Sequence, residues 1–137
     1  MTDSPSQVSE VAEPVYFYNF RATLRIAGEG LDFDEISRTL GLTPTHTHKK
    51  GERHKQDMWS YTAPVVRERP LEEHIMALWD AVRPHISYLR DLKLKCKMDV
   101  FCGYRSNCDT AGFQVSHRCL GLFSELEIPF GVSVIIS

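Results

Sequence analysis

The sequence predicts an α+β domain, a mostly antiparallel sheet with helices packed on one face. Three observations carry that reading. Residues 16–27 and 92–102 alternate apolar and polar side chains with a period of two. The segments between and after them have helical spacing instead. Glycines, prolines and capping residues separate the two kinds of pattern.

In the first strand, 16–27, Tyr16, Tyr18, Phe20, Ala22, Leu24 and Ile26 form the apolar side, and Asn19, Arg21, Thr23 and Arg25 the polar one. Such alternation marks a strand covered on one side only. Gly28-Glu29-Gly30 turns the chain. Asp32 then stands as a helix N-cap with Glu35 three residues on, and Leu31 and Ile36 occupy the hydrophobic-staple positions. Capping accounts for both carboxylates without catalysis. Gly41 is placed for a left-handed C-cap, and Pro44 prevents continuation.

Residues 59–63 read as a short strand with Trp59 and Tyr61 inward. Pro70 at N1 opens the longest helix, whose Leu71, Ile75, Leu78, Trp79, Val82, Ile86 and Leu89 share one face. Pro84 is expected to kink or split it. In the strand 92–102, Leu92, Leu94, Cys96, Met98, Val100 and Cys102 face the core, and Lys93, Lys95, Lys97 and Asp99 face out. A loop rich in turn formers, 103–112, leads to a short strand at 113–115. Ser116 caps a helix holding Leu120, Phe123 and Leu126, and Pro129 ends it. Phe130, Val132, Val134 and Ile136 give the last strand a core face. The resulting order, β-α-β-α-β-β-α-β, is a ferredoxin-like β-α-β-β-α-β unit preceded by an extra β-α.

At 137 residues the chain is long enough for one core without staples. Residues 1–14 read as a disordered N-terminal tail and 15–137 as a single domain. There are no signal-peptide features and no apolar run near the roughly 20 residues of a membrane span, so a cytoplasmic protein is expected. Cys96, Cys102, Cys108 and Cys119 lack C-x-x-C spacing, which suits a reducing compartment. Cys96 and Cys102 are expected to face the core, and nothing near Cys108 argues for a lowered pKa.

Residues 43–55 concentrate potential chemistry: His46, His48 and His54 stand among Lys49, Lys50 and Arg53. If the chain is extended there, His46 and His48 share a face, and His54 joins them after a turn at Gly51. Three histidines can make an open zinc site. Such sites need rigid placement and oriented outer contacts, which nothing in the segment provides, so a solvated basic loop is favoured and no cofactor is expected. A second candidate is a basic sheet face bearing Arg21, Arg25, Lys93, Lys95 and Lys97, with Phe17 and Phe101 of matching parity. Basic sheets with aromatics hold single-stranded nucleic acid, but the net charge of −2 and the absence of a ribonucleoprotein signature argue against it. His74 is third; position i+4 is Leu78, so a second ligand is missing and a packed histidine is expected. No G-x-S-x-G, H-E-x-x-H, P-loop or dinucleotide fingerprint is present.

Ile26-Ala27-Gly28, Leu31-Asp32, Leu40-Gly41-Leu42-Thr43-Pro44-Thr45, Lys50-Gly51 and Trp59 together form a pattern that resembles the bacterial domain of unknown function 4279 family. The His74 helix and the terminal alternating strand are similar too, so the likeness runs past Val15 to the end. The resemblance implies a small cytoplasmic bacterial α+β protein and brings no established activity. It also implies that Pro44, Lys50, Gly51 and Trp59 belong to one loop clipped between helix and strand.

The expected function is a non-enzymatic binding module for a protein partner. Its contact residues are His46, His48, Lys49, Lys50, Arg53 and His54 of the loop, with Arg21, Arg25, Lys93 and Lys95 of the open sheet face. One alternative is a small enzyme or a metal- or ligand-binding protein using His46, His48, His54 or His74. Another is a single-stranded nucleic-acid binder acting through the basic face. A homodimer through the open face would account for the same surface.

Overall fold

β1 (Tyr18–Gly28) forms the middle of the sheet, and its alternation is kept: Phe20, Ala22, Leu24 and Ile26 are buried while Arg21 between them is exposed. The computed structural model describes residues 15–137; residues 1–14, read above as a disordered tail, lie outside the described residues. After β1 come α1 (Phe33–Leu40), β2 (His46–His48), β3 (Asp57–Thr62), α2 (Leu71–Val82), α3 (Ile86–Lys93), β4 (Lys97–Ser106), α4 (Gly121–Leu126) and β5 (Val132–Ile136). The sheet runs β2-β3-β1-β4-β5, with β4–β5 parallel and the other pairings antiparallel. The protein is thus α+β with a mixed five-stranded sheet.

Local chemistry sets α1. The Asp32 side chain accepts from the Glu35 amide at 3.0 Å, and Gly41, at φ 68°, closes the helix with the Leu42 amide donating to the Ser37 carbonyl. α2 has no side-chain cap at Pro70, which is its N-cap residue and not N1. A missing cap costs about 1 kcal/mol. Leu71, Ile75, Leu78 and Val82 are each 0% exposed, and each such burial contributes roughly 1.5–3 kcal/mol, so packing decides. Pro84 splits the long helix: a 3-10 turn, Arg83–His85, separates α2 from α3. The buried residues of all these helices join the even side of β1 in one core.

Several elements differ from the sequence expectation. Residues 43–55 are not all loop, because β2 pairs with β3 at the sheet edge. The strand expected over 92–102 begins only at Lys97, since α3 continues through Lys93. Ile86, Leu89 and Leu92 repeat every three residues, so the same stretch satisfies a helix; Leu94, placed on the core face by the alternation, is 85% exposed. β4 instead extends through Gly103 and Tyr104 to Ser106, into the expected loop. Residues 113–115 are not a strand; Phe113 packs as coil, edge-on to Phe20 at 6.3 Å and Tyr104 at 5.9 Å. Ser116 caps a turn, accepting from the Arg118 amide, and α4 starts later, at Gly121. β5 is an edge strand, with Val134, Ile135 and Ile136 about half exposed, because the helical layer does not reach it. The β-α-β-β-α-β succession therefore occupies the start of the chain, and the additional pair is an α-β that follows it.

Gly28 marks the tightest approach in the core wall: a Cβ there would lie 2.8 Å from the Cys96 Cβ. Gly28→Ala is expected to destabilise the protein by about 1–3 kcal/mol, read as a lower urea midpoint with an unchanged slope.

Candidate functional site

Antiparallel partners in register share a face, so the pairing table of the sheet defines its uncovered side. One row across it is His46, Ser60, Arg25 and Asp99; the next is His48, Met58, Ala27 and Lys97. Toward the other end lie Thr62, Thr23 and Phe101, then Arg21, Gly103 and Ser133, then Asn19, Arg105 and Ile135. Strand β1 thereby brings the expected Arg21 and Arg25 onto the same surface as two of the expected histidines.

The charges on this face are unequal. Asp99 is held by Arg25 through a two-pronged contact, Nε to Oδ1 at 2.7 Å and Nη2 to Oδ2 at 2.8 Å. Arg21 and Arg25 place their guanidiniums 5.4 and 5.2 Å from the Phe101 ring centre, so the aromatic at the middle of the face is already covered by cations. The Thr23 and Thr62 hydroxyls bond to each other at 2.8 Å. Lys97 and Arg105 are exposed and, among the described residues, neither forms an ion pair.

Three of the expected residues come together at the β2 end. The His48 and His54 rings stack at 3.6 Å with 13° between their planes, and His46 meets His48 edge-on at 5.7 Å. Ring nitrogens bind a metal in the ring plane at about 2.1 Å, so two parallel rings 3.6 Å apart do not share one ion. Desolvation, followed by the neighbouring His54 and His46, pushes the His48 pKa down. Among the described residues no group of three or more His, Cys, Asp or Glu is placed to hold a metal ion.

The rest of the expected set lies elsewhere. Lys49 puts its ammonium 5.4 Å from the Phe33 ring, and Lys50 pairs with Glu29 at 2.8 Å, so both point toward the start of α1. Arg53 is exposed in the bend before His54. Lys93 ends α3 and donates to the Glu127 carbonyl at 2.9 Å, and Lys95 sits in the turn before β4; neither projects from the sheet face. Lys97 is the member of that lysine series that does. Lys93 and Lys97 instead flank an open depression of about 590 Å³ beside the first half of β4, with Arg25, Asp99 and Glu127 at its rim.

His74 is 0% exposed, its Nε2 donates to the Arg69 carbonyl at 3.2 Å, and its Nδ1 has no hydrogen-bond partner among the described residues. Burial pushes its pKa down. Cys102 is buried with its pKa pushed up to about 12, whereas Cys96 is only half-buried. Cys108 departs from expectation, because hydrogen bonding from Thr110 lowers its pKa.

The residue that sequence reasoning missed is Asp57. It is buried at the head of β3, where its Oδ1 accepts from the Lys50 amide at 2.7 Å and its Oδ2 from the Leu31 amide at 3.1 Å. Those two bonds tie the end of the histidine segment to the β1–α1 turn. Trp59, two residues on, is fully buried and donates its indole N–H to the Ser37 hydroxyl at 3.0 Å. The signal was available: Asp57 shares the core-facing parity of Trp59 and Tyr61, where an acid needs a reason.

A model of the domain of unknown function DUF4279 matches residues 18–137. The chain belongs to the DUF4279 family. No curated protein and no solved structure matches it. Of the expected unit of Pro44, Lys50, Gly51 and Trp59 in this DUF4279 domain, Lys50 is tied by its amide to Asp57 on the strand that carries Trp59. Among the described residues, no helix is long and apolar enough to cross a membrane.

Two pH effects follow. The Lys50 and Leu31 amides hold the Asp57 carboxyl below its ordinary 3.8, so its contribution is complete above that pH and is lost as pH falls through the lower folded value. Asp57→Asn is expected to lower Tm at neutral pH and to flatten the acid limb of the Tm–pH curve. His74 is also held below its ordinary 6.5, so stability falls as pH drops beneath 6.5, where only the unfolded chain readily takes the proton. His74→Leu is expected to reduce that slope, measured by scanning calorimetry between neutral and mildly acidic pH.

Proposed function

We propose that this DUF4279 domain is a non-enzymatic binding module that holds the acidic surface of a protein partner on its open sheet face. The observation supporting this is the composition of that face: Arg21, Lys97 and Arg105 project from it alongside the Arg25–Asp99 pair, with His46 and His48 at one edge. A flat cationic surface suits recognition by electrostatic complementarity. The chain as a whole carries a net charge of −2, so the excess is local.

Catalysis is less well supported. Acid–base chemistry needs titratable groups converging on a concavity. His74 is sealed in the core, and the His48 and His54 rings face each other. Single-stranded nucleic acid is also a poorer fit, since base stacking needs free aromatic faces and Phe101 lies under two guanidiniums. The setting we infer is the reducing cytoplasm of a bacterium, on the free cysteines and on the family resemblance.

The test is capture from the native host's lysate by wild type, by a His46→Glu/Lys97→Glu variant, and by Lys95→Glu as an off-face control. Wild type and control are expected to retain a common protein, the double variant to lose it at least tenfold, and added salt to weaken it. Equal retention by all three, or turnover of a small substrate that depends on His46 or His48, would overturn the reading.

A further inference from the structure

Where β1, β4 and β5 meet, the open face dips into a depression of about 190 Å³ lined by Asn19, Arg21, Arg67, Gly103, Arg105 and Ser133. Its volume is below the roughly 300 Å³ at which drug-sized pockets begin, so it suits a single charged group. Three of its lining residues are arginines. All are permanently charged, and among the described residues none of them forms an ion pair with a carboxylate. Arg25, two rows away, shows what this surface does with a carboxylate: one fork satisfies both oxygens of Asp99.

The floor is shaped by an absent side chain. A Cβ on Gly103 would lie 3.3 Å from Phe101 Cε2 and 3.5 Å from Arg21 Cγ. Glycine therefore leaves the Phe101 ring its place on the floor, and the Arg21 guanidinium is steadied over that ring. Arg67 is brought alongside by its own backbone, because its carbonyl accepts from the Phe20 amide at 2.8 Å. Three like charges so arranged repel one another and call for a multiply charged counter-ion.

From this geometry we propose that the depression is an oxyanion site for a phosphate group, free or on a small molecule. A phosphate offers three terminal oxygens, one to each guanidinium, whereas a carboxylate is saturated by one. The depression shares Arg21 and Arg105 with the proposed partner-binding face, but phosphate binding needs no second protein and is read without one.

The test is an NMR titration of the full chain with inorganic phosphate at fixed ionic strength, following the arginine Nε–Hε signals, with acetate and chloride as controls. Saturable shifts confined to Arg21, Arg67 and Arg105 are expected, with binding about tenfold weaker in Arg67→Gln and in Arg105→Gln. Arg38→Gln, on the exposed side of α1, is expected to leave it unchanged. A parallel titration with phenyl phosphate separates the sources: equal affinity assigns free phosphate, and tighter binding assigns a phosphorylated organic molecule. Shifts that acetate reproduces, shifts spread over Arg38 and Arg118 as well, or affinity unaltered in both arginine variants would overturn the proposal. Should either variant unfold, the wild-type pattern decides alone.

Discussion

The parity of β1 governs this molecule. It pairs with β3 on one side and β4 on the other, so its alternation fixes which side chains of both neighbours are dry. Through β3 it also orients β2, and through β4 it orients β5. A slip of one residue in β1 would send Arg21 and Arg25 into the core and Leu24 and Ile26 into water. The buried row of Phe20, Ala22, Leu24 and Ile26 makes such a slip prohibitive. The proposed binding surface and the core that carries stability are thus two readings of one alternation.

Asp57 and Trp59 transmit that constraint to the histidine segment. β2 is only three residues long and lies at the sheet edge, so its pairing with β3 alone would hold it weakly. The Asp57 carboxylate fixes the chain just past β2 at Lys50, and the Trp59 indole fastens β3 to α1. The lysines that follow β2 are drawn toward α1, and the histidines remain with the sheet. A segment that reads as one basic patch is divided in space into two.

The legible parts of the fold were those where one pattern excluded the other. β1 alternates too long to be a helix, α1 carries a cap at each end, and Pro84 forbids an unbroken helix. Illegible parts satisfied two patterns or none. Leu92 fits a strand by period and a helix by its three-residue distance from Leu89, and α3 takes it, running on through Lys93. Gly103 reads as a loop residue, yet it sits mid-strand where a side chain would strike Phe101 and Arg21. β2 has no apolar side to announce it. For the open face, Arg21 and Arg25 were legible through β1 and Asp57 through its core-facing parity with Trp59, while Arg67 and Arg105 depended on pairing across long separations that no local pattern encodes.

The position of β5 has a kinetic side. β4 is its only strand neighbour, the pairing is parallel, and the crossover through α4 must be in place before the two strands can meet. With its side chains half exposed, β5 is held mainly by backbone bonds along one edge. Fraying of this edge would bare the outer edge of β4 from Cys102 to Ser106.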